Sequence, residues 1–86
     1  MSACEAQNFD HVTASVWECC KKAVAGFGIT ITTDSGTQTR DGYTVTWNYN
    51  SAAQTLSIQC LDSPTLVPCF AINSRIRGLV EPCLKG

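Results

Sequence analysis

Tyr43-Thr44-Val45-Thr46-Trp47-Asn48-Tyr49 is the stretch on which the fold turns. Side chains alternate across an extended chain, so Tyr43, Val45, Trp47 and Tyr49 share one face and Thr44, Thr46 and Asn48 the other. Aromatic and β-branched residues suit a pleated, half-buried surface. One side of this strand therefore needs a cover, and the other meets solvent or a partner.

The flanking segments extend the sheet. Asn50-Ser51-Ala52-Ala53-Gln54 is a short connection, which makes the next strand antiparallel. That strand is Thr55-Leu56-Ser57-Ile58-Gln59-Cys60-Leu61, with Leu56, Ile58 and Cys60 on its apolar face. Upstream, Gly28-Ile29-Thr30-Ile31-Thr32-Thr33 also alternates and reads as a first strand. Asp34-Ser35-Gly36 and Asp41-Gly42 are turn signals. Between them, Thr37-Gln38-Thr39-Arg40 is either a loose loop or a hairpin extension with a bulge at Gly42.

Farther out the period becomes helical. Val12, Val16, Cys19, Cys20, Ala23 and Val24 recur at helix spacing over Asp10 to Ala25, with Asn8 or Asp10 as the cap. On a wheel of about 100° per residue, Phe9, Val12, Cys19, Cys20, Ala23 and Phe27 all fall within about 60° of Val16. Lys21 and Lys22 suit the negative end of the helix dipole, and Gly26 and Gly28 end the helix. In the last third, Pro68 would break a helix begun at Pro64, so the second helix is expected to start at Pro68. Cys69, Ile72, Ile76, Leu79 and Val80 form its apolar stripe, and Pro82 is expected to stop it.

The expected fold is α+β: a two-layer sandwich ordered helix, three-stranded antiparallel meander, helix, with both helices on one sheet face. It forms one domain spanning residues 1–86, with 1–8 a loose N-terminal segment. A chain of 86 residues buries little more than about 60% of its unfolded surface. A three-stranded sheet also leaves two edges open, and both facts favour a homodimer.

Composition narrows the function classes. Residues are 44% hydrophobic and 15% charged with a net charge of −1, which excludes a disordered chain and argues against nucleic acid as a partner. No apolar run is long enough to span a membrane, so no membrane partner is expected. Met1-Ser2-Ala3-Cys4-Glu5 has neither the basic nor the apolar part of a secretory leader, so the expected compartment is the cytoplasm. Secretion stays open only if a leader precedes these residues.

The six cysteines, Cys4, Cys19, Cys20, Cys60, Cys69 and Cys83, show no zinc-ligand spacing, and His11 is the single histidine. Cys19-Cys20 makes a poor vicinal bridge. Both lie in the helix stripe, so the cysteines are expected to be reduced core residues, with no metal and no cofactor, and one or more disulfides are the lesser alternative. Catalytic residues are not expected either. His11 has only Cys4 nearby in sequence, the carboxylates are scattered, and no glycine-rich phosphate loop opens a helix.

Two surfaces remain as candidates for function. Thr30, Thr32, Thr44, Thr46, Asn48, Thr55, Ser57 and Gln59 form an uncharged polar sheet face, whereas surfaces usually carry about a quarter charged residues. That face suits self-association or an unidentified protein partner, beside the plainer role of a solvated face built from strand-forming threonines. Tyr43, Trp47 and Tyr49 on the opposite face are core residues or the lining of a pocket beneath the helices. Arg40, Arg75 and Arg77 are the concentrated cations, able to hold an acidic partner or a carboxylate, or simply solvated. The leading expectation is a non-enzymatic protein-binding module (adaptor, inhibitor or accessory subunit). A small-molecule binder with that pocket is the alternative, and thiol redox or metal chemistry comes third.

Overall fold

Alternation and helix spacing lead to an antiparallel sheet with two helices, and the computed structural model describes this for residues 3–26, 28–64 and 66–85. The elements are β1 (Gln7–Phe9), α1 (Ala14–Ala25), β2 (Ser35–Arg40), β3 (Tyr43–Asn50), β4 (Thr55–Asp62) and α2 (Cys69–Lys85). The sheet order is β1-β4-β3-β2, all neighbours antiparallel. No helix among the described residues is long and apolar enough to cross a membrane.

The meander is present, but its first strand is not the expected one. Ser35–Arg40 pairs with β3 through a two-residue Asp41-Gly42 turn, both residues at positive φ (52° and 86°), the geometry of a type I′ hairpin. Residues 28–34 form a strap instead of a strand. Ile29 and Ile31 turn partly inward and Thr30 and Thr32 outward, so the alternation is satisfied without a ladder. The strap is held from the sheet side: Gln38 Nε2 donates to the Thr30 carbonyl at 2.7 Å and Trp47 Nε1 to the Thr33 carbonyl at 3.1 Å.

The sheet has four strands because Cys4 and Gln7 to Phe9, expected to be loose up to residue 8, are tied to β4. Gln7, Asn8 and Phe9 pair with Ile58, Ser57 and Leu56. The Cys4 N–H donates to the Cys60 carbonyl at 2.9 Å, and Gln59 Nε2 to the Cys4 carbonyl at 2.8 Å. Asn8, expected as a helix cap, is therefore a strand residue, and Asp10 lies in the bend after it. His11 takes a positive φ of 60° there, and Thr13 caps α1, its hydroxyl accepting from the Val16 N–H at 3.3 Å.

Phe9, Trp47, Tyr49, Leu56, Ile58 and Cys60 make the buried sheet face and join Trp17 and Cys20 of α1 and Ile72, Ile76, Val80 and Cys83 of α2 in one core. The helices do not form an even layer. α2 lies against β1 and β4, while α1 packs on α2 and reaches the sheet through Trp17, whose ring stacks on Tyr49 at 5.0 Å. The buried stripe of α1 is thus rotated toward Trp17 and away from Cys19, which is exposed. Phe27, placed on that stripe by its spacing, lies outside the described residues.

Four cysteines are bridged, correcting the expectation of reduced core thiols. Cys4 joins Cys69 and Cys19 joins Cys83, across 65 and 64 residues of chain. Neighbours on a helix point about 100° apart, so Cys19 meets α2 while Cys20 turns into the core. The Cys19–Cys83 bridge also explains why α2 runs past Pro82, its expected stop. The ring and missing N–H weaken the last turn, and the bridge to α1 holds it in place.

Candidate functional site

The strand that decides the fold also divides the helix–sheet interface in two. At its C-terminal end, Trp47 and Tyr49 are consumed by packing. Tyr49 is buried, its ring stacked on Trp17 and its hydroxyl donating to the Val12 carbonyl at 2.8 Å, so neither end of the side chain meets water. Trp17 Nε1 donates to Asp34 Oδ1 at 3.2 Å, and Lys21 Nζ, paired with Glu18, stands 5.6 Å from its ring centre. Trp47 lies edge-on against Gly36, where a Cβ would sit 2.9 Å from Cζ2.

The N-terminal end of β3 is different. Tyr43 and Val45 are only half buried, and with Ile58 they floor a cleft of about 390 Å3. α2 forms one wall with Ala71, Ile72, Ile76, Leu79 and Val80, while Val67 closes one end. Val24 of α1 and Ile29 of the strap form the other wall. Arg40, Asp41 and Arg75 are its charged members. Such a volume falls at the lower end of small-molecule sites, about 300–1,000 Å3, which are mostly apolar with a few placed polar groups.

A pocket between helices and sheet is thus present, but of the three expected aromatics only Tyr43 lines it. Its aliphatic walls come from α2 and the strap, residues whose spacing signals a helix stripe and nothing more. Arg40 and Arg75, far apart in sequence, come to the same cleft, while Arg77 lies 3.8 Å from Glu81 on the same helix. Arg40 Nε lies 3.7 Å from Asp41 Oδ2.

The polar face of the sheet is broader than expected and differently composed. Thr44, Thr46 and Asn48 of β3 and Thr55, Ser57 and Gln59 of β4 lie on it, as alternation requires. Thr30 and Thr32 do not, since they belong to the strap; Ser35, Thr37 and Thr39 of β2 take their place. Many of these groups already have partners. Thr37 Oγ1 donates to Thr46 Oγ1 and Thr46 Oγ1 to the Gly36 carbonyl, both at 3.0 Å, and Thr39 and Thr44 share a 3.0 Å bond. Gln59 is spent on Cys4. Asn8, Asn48, Asn50, Thr55 and Ser57 border a shallow depression of about 360 Å3 near the β1 edge.

The remaining thiols are poorly placed for chemistry. Cys20 and Cys60 are buried. Burial pushes the Cys20 thiol up to about 11 and raises that of Cys60, whose Sγ donates to the Asp62 carbonyl at 3.1 Å. A thiol held protonated is a weak nucleophile and a weak metal ligand. Among the described residues no three His, Cys, Asp or Glu side chains gather as a metal site. Comparison of the chain with protein-family models, with curated proteins and with solved structures finds no match, so the candidate site rests on its own geometry.

Proposed function

We propose that this chain is a non-enzymatic, disulfide-braced binding protein that takes a small apolar ligand into the cleft between α2 and the start of β3. The cleft itself carries the reading: about 390 Å3 walled by aliphatic side chains, beside a half of the interface where Trp17, Trp47 and Tyr49 are buried. A cleft of this kind exposes apolar surface to water, and covering it favours binding by roughly 25 cal/mol per Å2. The two bridges support an oxidising compartment for the protein in place of the expected cytoplasm, since small extracellular domains use disulfides where the core is too small.

The experiment is a titration of the oxidised protein with N-phenyl-1-naphthylamine, a neutral apolar dye that brightens in dry sites. Wild type should bind one dye per chain, and Ala71→Phe, which fills the cleft from an exposed position, should abolish binding while leaving the near-UV circular dichroism intact. Absence of dye binding by wild type, or equal binding by the variant, would overturn the reading. Intact mass without reductant should come out two hydrogens lighter for each bridge.

A second reading rests on the uncharged face of β2, β3 and β4, where a second copy of the chain could dock. The sheet still ends in two edges, but pairing with β4 leaves only the three-residue β1 at one of them, so the face is the stronger ground for self-association. Sedimentation velocity decides it: a dimer that Thr46→Lys converts to monomer supports this reading, and a wild-type monomer sinks it.

A further inference from the structure

We infer that the depression at the β1 edge of the polar sheet face is a second binding site, separate from the apolar cleft, and that it takes the ring of a neutral saccharide. Strand register places its centre. Asn8 pairs with Ser57 and Ser57 with Asn48, so two amides flank a small serine in one row across β1, β4 and β3. Two strand spacings separate Asn8 from Asn48, about 10 Å, which leaves room for one ring between them. Nearer the β3–β4 turn, Asn50 stands opposite Thr55, and Asp10 completes the border.

Unspent hydrogen-bonding capacity separates this end of the face from the rest. Toward β2 the threonines satisfy one another, Thr37 with Thr46 and Thr39 with Thr44. By contrast, the side chains of Asn8, Asn48 and Ser57 make no hydrogen bond among the described residues; both amides are exposed and the hydroxyl is half-buried. Asn50 is half engaged: its Oδ1 accepts from the Ala53 N–H at 3.1 Å, which leaves its Nδ2 to donate elsewhere. The border is also fixed. The Val12 N–H donates to the Gln54 carbonyl at 2.8 Å, tying the link after β1 to the β3–β4 turn, and the Cys4–Cys69 bridge holds the start of β1.

The chemistry of the lining selects the ligand. An amide both donates and accepts, and so does a sugar hydroxyl, so the two answer each other in either sense. A phosphate or sulfate only accepts and calls for cations. No Lys, Arg or His lines the depression among the described residues, and the Asp10 carboxylate repels an anion. A calcium ion takes about six to eight oxygen ligands with carboxylates among them, and one carboxylate is a poor start. Adjacent hydroxyls of a sugar, in turn, can share the two oxygens of Asp10.

An NMR titration of the oxidised full chain, read at the side-chain amide signals of Asn8, Asn48 and Asn50, tests the inference. The probes are the methyl glycosides of glucose, mannose and galactose, a trisaccharide of each, and glucuronate and calcium chloride as charged controls. At least one neutral sugar should shift these signals saturably with a Kd of about 1 mM, the strength of a few solvent-exposed hydrogen bonds. Glucuronate should bind about threefold or more weakly, with the gap narrowing in salt. Asn48→Thr keeps a strand-forming residue and should weaken sugar binding about fivefold or more with the near-UV circular dichroism unchanged. A trisaccharide that binds more tightly than the single ring supports a glycan chain as the source, and equal affinity supports a free sugar. No saturable shift from any neutral sugar would overturn the inference. So would tighter binding of glucuronate, a response to calcium alone, or wild-type affinity in Asn48→Thr.

Discussion

β3 passes through both halves of the helix–sheet interface, and the halves end differently. Where Trp47 and Tyr49 face Trp17, large rings carry polar tips that each find a partner: the Thr33 carbonyl, the Val12 carbonyl and the Asp34 carboxylate. Those bonds let flat, heavy side chains be buried without stranding a donor, and the interface closes. Where Tyr43 and Val45 face α2, the opposing residues are aliphatic and one is only Ala71, so the space between the elements is not filled. Closure here follows from side-chain volume together with a place for each polar atom. A cleft remains where both are lacking.

Breaking the bridges separates the two halves with the largest expected effect. Each closes a loop of more than 60 residues, so removing either by a paired Cys→Ala change should cost about 4 kcal/mol in urea unfolding. Their consequences for the cleft should differ. Cys4→Ala with Cys69→Ala frees the first residue of α2, next to Ala71 and Ile72, and should weaken dye binding. Cys19→Ala with Cys83→Ala frees the end of α2 from α1 near Trp17, past the cleft residues Leu79 and Val80, and should leave the dye affinity within about twofold at temperatures where the protein stays folded. Equal loss of dye binding in both pairs would mean the halves are not independent.

Packing contrast gives the next effect. Gly36→Ala puts a methyl group 2.9 Å from the Trp47 ring, inside a full interface, and should cost about 2 kcal/mol. Ala71→Leu adds more carbon to the open half and should change stability by less than about 0.5 kcal/mol or raise it, because it fills space. Similar costs at the two sites would show that the cleft is packed in solution. Tyr49→Phe is a smaller probe of the closed half: it leaves the Val12 carbonyl buried without its donor, for a loss of about 1.5 kcal/mol by thermal or urea unfolding.

How far these halves were legible in the chain depended on range. The period-two stretch 43–49, its short link to 55–61 and the helical stripes are local signals, and the antiparallel sheet and two helices follow from them. Residues 28–33 carry the same alternation as a strand, yet they cross the core as a strap, because inward and outward faces are needed by any extended segment lying on a core. β1 is only three residues long, and its pairing with β4 spans about half the chain, so no periodicity announces it. The bridges link residues more than 60 positions apart and leave no local mark. Arg40 and Arg75 stand out in sequence as cations; their meeting at one cleft depends on how α2 crosses the sheet.

Cys20 offers the finest test, because it is a titratable group in the closed half. Burial holds its thiol up to about 11 in the folded protein, against an ordinary value of 9.0 when the chain is unfolded. Below pH 9 both states keep the proton, and the contribution to stability is fully present. Between 9 and 11 the unfolded thiol gives its proton up while the folded one retains it, so the unfolded state gains and stability falls. Raising the pH from 8 to 10 should therefore cost about 1 kcal/mol through this group. Cys20→Ala lowers stability at neutral pH by removing a packed sulfur, yet it should flatten the alkaline slope by that same amount. An unchanged slope in the variant would place water beside Cys20 and mean that the aromatic half is less tightly closed than its hydrogen bonds imply.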